Sequence, residues 1–185
     1  MGLARGGVVV AVEVAKVLHC PLNVIVIRKI GAPGREELAL GAITDEGKAV
    51  YNDSLISILG VSSEFLEKES ARQKQLAKDR MAYYQGVVPV CDIKGKTILL
   101  VDDGIATGAS MRMAALSVRE KGARKIVVAV PVGSSDTLKK LEKEVEEVVC
   151  PHAPHFFDAV GSFYQIFDQV SDEEIIRIFS TFSAR

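Results

Sequence analysis

The segment Ile98-Leu-Leu-Val-Asp-Asp-Gly-Ile-Ala-Thr-Gly-Ala-Ser110 decides how the rest of the 185-residue chain is read. Its first four residues are apolar and continuous, the pattern of a short strand buried on both faces. Asp102 and Asp103 follow at that strand's C-terminal end, where open α/β sheets bind ligands. Gly104, Ala106, Thr107, Gly108, Ala109 and Ser110 then turn into a helix that the pattern extends to Lys121 and stops at Gly122. The free N–H groups and positive dipole end of such a helix suit a phosphate. Thr107 and Ser110 add hydroxyl donors, and Gly108 lets the backbone approach closely. Two carboxylates would repel that phosphate, yet they accept hydrogen bonds from sugar hydroxyls or help hold a bridging cation. A phosphorylated ribose satisfies both halves of the segment.

Outward from this point, Leu22–Ile27 (LNVIVI) and Ile126–Val130 (IVVAV) read as further buried strands, and Glu147–Cys150 as a short one. Strand, helix and strand between residues 98 and 130 form a βαβ unit, which predicts a parallel sheet with right-handed crossovers. Val8, Val12, Ala15 and Val17–Leu18 suggest an early helix ending before Cys20-Pro21. Residues 64–80 are highly charged, with Phe65, Leu66, Leu76 and Ala77 as apolar points, and read as a solvated helix. Ser171 with Glu174 makes a capping box before IIRIF, so a C-terminal helix is expected. No repeat or low-complexity linker divides the chain. One domain over 1–185 is expected, with a core over about 2–150 and a tail over about 151–185.

Composition removes several classes. With 23 Lys+Arg against 24 Asp+Glu the net charge is -1, and with 6% aromatics and no Trp neither a basic coat for nucleic acid nor a stacking platform is favoured. Cys20, Cys91 and Cys150 are widely spaced and odd in number, which suits a reducing cytoplasm over a disulfide scaffold. Glu13 and Lys16 interrupt the longest apolar stretch, so no membrane span or signal peptide is expected.

The 98–110 segment resembles the phosphoribosyl-diphosphate (PRPP) signature of the type I phosphoribosyltransferases: apolar strand, two acids, small residues, then Thr-Gly and a hydroxyl residue. Two further stretches match in the right order. Leu3-Ala-Arg-Gly-Gly7 before a helix is similar to the family's diphosphate-binding loop, with Arg5 as charged donor and Gly6 as close backbone. Arg28-Lys29, at the end of LNVIVI, stands where family members carry basic residues that contact the diphosphate.

The resemblance implies a parallel sheet flanked by helices, with a small C-terminal hood that selects the acceptor and a mobile loop from the material after Lys29. It also implies a strand before Arg5, where this sequence offers only Met1 to Leu3. A missing or truncated first strand is therefore expected, with about 20–30 residues upstream of Met1 or a strand supplied by a neighbouring subunit. Phe156, Phe157 and Tyr164 of the tail could stack on a base or simply pack. Cys150, His152 and His155 lack a fourth ligand and make a poor zinc site. The family's 6-oxopurine enzymes carry an acid directly before Thr-Gly; Ala106 stands here, which points away from hypoxanthine or guanine.

The implied activity is transfer of phosphoribose from PRPP to a nitrogenous acceptor with release of diphosphate, the catalytic residues being Asp102, Asp103 and Arg5. Gly6, Arg28, Lys29 and the 104–110 residues named above would bind substrate. Magnesium would arrive with PRPP, near Asp102 and Asp103, with no ligand set of the protein's own. Partners are then PRPP and a small acceptor, without nucleic acid or membrane, in a cytoplasmic protein for which a homodimer is compatible. The rival readings are a PRPP- or nucleotide-sensing module on the same fold and a ligand-free structural remnant.

Overall fold

The computed structural model describes residues 1–183. In chain order the elements are β1 (Gly2–Leu3), α1 (Gly6–Leu18), β2 (Val24–Ile25), β3 (Ile27–Ala32), β4 (Arg35–Thr44), β5 (Ala49–Tyr51), α2 (Asp53–Leu59), α3 (Ser63–Tyr83), β6 (Thr97–Val101), α4 (Ala109–Glu120), β7 (Lys125–Ala129), α5 (Ser135–Leu141) and β8 (Glu147–Val149). A 3₁₀ turn at Val160–Phe163 and α6 (Asp172–Ser183) follow.

Five strands pair in the order β2-β1-β6-β7-β8, every ladder parallel, with helices packed on the sheet. The expected α/β architecture is the one observed. The slot expected for the first strand is occupied: β1, two residues long, lies between β2 and β6 with Gly2 beside Val24 and Val101. The Val101 N–H donates to the Met1 carbonyl, which extends this contact by one residue.

Helix α1 is built on β-branched residues that disfavour helix intrinsically. Packing decides instead: Val8, Ala11, Val12 and Ala15 form one buried stripe against the sheet. His19 closes the helix in the left-handed conformation. Helix α6 begins with the expected cap, the Ser171 Oγ accepting from the Glu174 N–H at 3.1 Å. It buries Ile175 and Phe179 in the same core cluster as α1 and Tyr84.

The run LNVIVI does not form one strand, because it serves two sheets. Val24–Ile25 pair with β1, and from Ile27 the chain enters an antiparallel sheet, β3-β4-β5. The stretch after Lys29, expected as a loop, is the β3–β4 hairpin, turning at Pro33-Gly34 with Gly34 at φ 68°. Helix α3 is the expected charged helix, but it buries Ser70, Gln73 and Ala77 and runs on to Tyr83. Its packing against β3 and β4 carries a chemically active face to the cleft.

Candidate active site

The C-terminal end of β6 and the N-terminus of α1 meet because two residues lack side chains. A Cβ on Gly6 would lie 1.9 Å from the Asp103 Oδ2, and one on Gly7 would lie 2.6 Å from the Val101 carbonyl and 2.8 Å from the Asp102 Cα. Only glycine admits this approach. The turn before α1 includes a cis peptide between Ala4 and Arg5. Arg5, Gly6 and Asp103 line one cleft of about 660 Å³.

The two acids occupy different places. Asp103 faces the cleft, while Asp102 sits behind it and accepts the Asp103 backbone N–H on Oδ1 at 2.9 Å. Burial first, and then the adjacent Asp103 charge, push the Asp102 carboxyl well above the ordinary aspartate range, against the pull of Lys29. Burial also raises Asp103, opposed by backbone N–H donors at Gly104 and Asp103 itself. A pair whose ionised form is disfavoured by its surroundings gains by meeting hydroxyl donors.

The following loop is pinned through its carbonyls. Tyr164 donates its hydroxyl to the Asp103 carbonyl at 2.6 Å, Thr137 donates to the Ala106 carbonyl at 2.7 Å, and the Ser134 N–H donates to the Ile105 carbonyl at 2.9 Å. Gly108 opens α4 at φ 76°, and the helix has no side-chain cap. Its first N–H groups are thus available to an anion.

Of the residues singled out in the sequence, Arg5, Gly6, Arg28, Lys29, Asp103 and Ser110 line this one cleft. Asp102, Gly104, Ala106, Thr107, Gly108 and Ala109 adjoin it without lining it, with Ala106 and Thr107 exposed. The tail contributes Phe167 to Val170 on the far wall, and Tyr164 packs on Phe167 with ring centroids 5.2 Å apart. Phe156 is exposed away from the cleft lining, and Phe157 stacks on Phe163 instead. Cys150 donates its Sγ–H to the His152 carbonyl at 3.2 Å, and His152 packs edge-on against Phe163. No metal-binding group of three or more His, Cys, Asp or Glu occurs among the described residues. Nor is any described helix long and apolar enough to cross a membrane.

Sequence reasoning missed one wall. Helix α3 adds Glu69, Arg72, Gln73 and Arg80 to the cleft. Arg28 donates from Nε to the Gln73 Oε1 at 2.9 Å, Gln73 donates to Glu69 at 2.8 Å, and Arg72 grips Glu69 with Nε and Nη2 at 2.8 and 2.7 Å. Burial, and then repulsion from Arg80, Arg72 and Arg5, lower the Arg28 pKa. Positive charge converges here from three elements, which favours a polyanion in the cleft. The signal was present in the spacing, since residues 69, 73, 76 and 80 share one helical face.

Comparison with known proteins gives this geometry a context. A family model described as "Phosphoribosyl transferase domain" matches residues 1–165. A protein of Mycobacterium tuberculosis (strain H37Rv), carried under a provisional phosphoribosyl transferase name, is 40% identical over 179 residues, covering 95% of this chain and 40% of the relative. A ribose-phosphate pyrophosphokinase of Thermococcus kodakarensis is 30% identical over 132 residues, covering 69% of this chain and 44% of the relative. The chain thus spans less than half the length of these curated relatives. Among solved structures, TT1426 from Thermus thermophilus superposes with a TM-score of 0.80 at 42% identity, over 98% of this chain and 86% of that one.

Proposed function

The chain belongs to the phosphoribosyl transferase domain family, and from that premise we propose that it transfers phosphoribose from PRPP to a nitrogenous acceptor, releasing diphosphate. The observation that carries this reading is the meeting of Arg5, Gly6, Arg28, Lys29, Asp103 and Ser110 around one cleft. The substrate has an anion at each end and hydroxyls between; the cleft offers Arg5, Arg28 and Lys29 beside Asp103, and the 104–110 loop adjoins it at Ser110.

In this reading the 104–110 loop cradles the 5′-phosphate with the open N–H groups of α4, and Thr107 and Ser110 add hydroxyls. Asp103 accepts hydrogen bonds from the ribose hydroxyls, and Asp102 holds Asp103 in place through its backbone N–H. Arg5, Arg28 and Lys29 gather the diphosphate. As the bond from the anomeric carbon to the diphosphate oxygen lengthens, negative charge grows on the leaving group and positive charge on the sugar. Fixed guanidinium groups stabilise the first of these, the kind of contribution that usually dominates catalysis. The acceptor nitrogen forms the new bond to the anomeric carbon as the bond to diphosphate breaks, and its proton passes to an oxygen of the departing diphosphate. The wall made by the β3–β4 hairpin and residues 167–170 limits the access of competing water.

Magnesium suits this site only as a guest of the substrate. Of the paired acids only Asp103 faces the cleft, so a magnesium ion there would take most of its oxygens from phosphate and water. When bound, it neutralises diphosphate charge.

Competition calorimetry tests the proposal. PRPP with magnesium should bind the wild-type chain at one site, and ribose 5-phosphate and inorganic diphosphate should each weaken that binding. The absence of PRPP binding, or binding indifferent to both competitors, would overturn it.

A further inference from the structure

The proposed function leaves one polar assembly unused. Asp172, in the first turn of α6, places Oδ2 3.7 Å from the Arg5 Nη1 and Oδ1 3.1 Å from the Arg80 Nε. The buried Tyr84 donates its hydroxyl to the same carboxylate. Arg5 belongs to the turn before α1 and Arg80 to α3, so a single carboxylate ties together three elements otherwise far apart in sequence. Both arginines line the main cleft.

From these contacts we infer that Arg80 is a further diphosphate ligand and that Asp172 is the positioning residue that holds Arg80 and Arg5 as one clamp. The inference rests on the reading of the cleft as a PRPP site and names residues to which the sequence motifs gave no role. The charges support it. Two guanidiniums share the Asp172 carboxylate, with the exposed Glu173 exerting a weaker pull on Arg5. Arg28, bonded to the neutral Gln73, adds a further positive charge. Arg5, Arg28, Arg72 and Arg80 line the same cleft, and burial followed by their mutual repulsion lowers the Arg28 pKa. Left alone, flexible guanidiniums that repel would separate. Asp172 opposes that separation, and the buried Tyr84 in turn fixes Asp172. Burial of Ile175 and Phe179 anchors the helix that carries it. A leaving diphosphate carries several negative charges, and preorganised donors cost nothing to gather at the moment of reaction.

Binding of inorganic diphosphate and of ribose 5-phosphate, measured separately by calorimetry, distinguishes this role from a structural one. Asp172→Asn should weaken diphosphate binding about tenfold, corresponding to one lost charge-assisted contact. Ribose 5-phosphate, held at the 104–110 loop, should stay within about twofold. Asp172→Glu should recover part of the loss, and Arg80→Gln should reproduce it. Glu174→Gln removes a charge from the same turn of α6 at a residue that pairs with neither arginine, and should leave both affinities unchanged. Unchanged or tighter diphosphate binding in Asp172→Asn would overturn the inference, since the carboxylate would then be a bystander or a competing anion. Equal loss of both ligands would assign it to folding alone and overturn it too. If that variant does not fold, Arg80→Gln decides by the same comparison. Failure of the wild-type chain to bind either ligand would instead remove the PRPP reading itself.

Discussion

Replacing Asp102 and Asp103 together with asparagine is expected to abolish PRPP binding while raising thermal stability. Hydrogen bonds to charged groups contribute about 1.5–3 kcal/mol each, so losing the two that the Asp103 carboxylate would accept from the ribose hydroxyls removes about 3–6 kcal/mol of recognition. The stability effect has the opposite sign. Burial raises both carboxyls, and their mutual repulsion raises Asp102 further. The folded chain therefore keeps these protons to higher pH than the unfolded chain does. The resulting stabilisation is complete below the ordinary aspartate value of 3.8 and is lost as pH rises through the shifted range. Ionising this buried pair is a cost to folding that grows as pH rises through the shifted range. Asparagine retains the acceptor for the Asp103 N–H without that cost. A higher melting temperature than wild type is expected at pH 7. The gain should shrink toward pH 4. Scanning calorimetry across that range checks the sign, and a variant less stable than wild type at pH 7 would contradict the account.

Gly7→Ala is expected to be among the most damaging single methyl additions. Inside a helix, alanine in place of glycine ordinarily stabilises by about 0.5–1 kcal/mol. Here the added Cβ would lie 2.6 Å from the Val101 carbonyl and 2.8 Å from the Asp102 Cα, both backbone atoms that cannot step aside. The gain should invert to a loss of about 3 kcal/mol, at the upper end of overpacking costs, or about 6–12 °C in melting temperature. Gly6→Ala makes a sharper clash on paper, 1.9 Å, but with the Asp103 carboxylate oxygen, which can rotate. That variant should fold with a loss of about 1 kcal/mol and fail to bind PRPP, because Asp103 is turned out of place. Thermal melts of the two alanine variants, with PRPP titrations of Gly6→Ala, separate a scaffold glycine from a site glycine. A stabilised Gly7→Ala would show that α1 does not press on the β6 terminus.

The sequence made β6, α4 and β7 legible because an apolar run, an acid pair and a glycine-rich turn agree on one local structure. The Arg5-Gly6-Gly7 turn was legible by its order before that unit. The antiparallel sheet was not. Arg35–Thr44 begins REELAL, rich in helix formers, and only its pairing with both β3 and β5 makes it a strand. LNVIVI hid the boundary between two sheets, since a nearly unbroken apolar run carries no mark of where pairing partners change. The α3 wall was hidden for a different reason. A charged helix reads as a solvated face, yet Gln73 is buried and Arg80 lies in the cleft once the helix packs on the β3–β4 hairpin. No motif marks Asp172 in the sequence, and its contacts with Arg5 and Arg80 depend wholly on tertiary packing.

Turnover is the most direct test of the central claim. The wild-type chain, supplied with PRPP and magnesium, should release diphosphate in the presence of one or more members of a panel of adenine, uracil, orotate, hypoxanthine, guanine and related nitrogenous acceptors. Release should depend on the acceptor and vanish when Asp102 and Asp103 are both asparagine. PRPP binding without diphosphate release for any acceptor would contradict the transferase account and leave a PRPP-sensing module in its place.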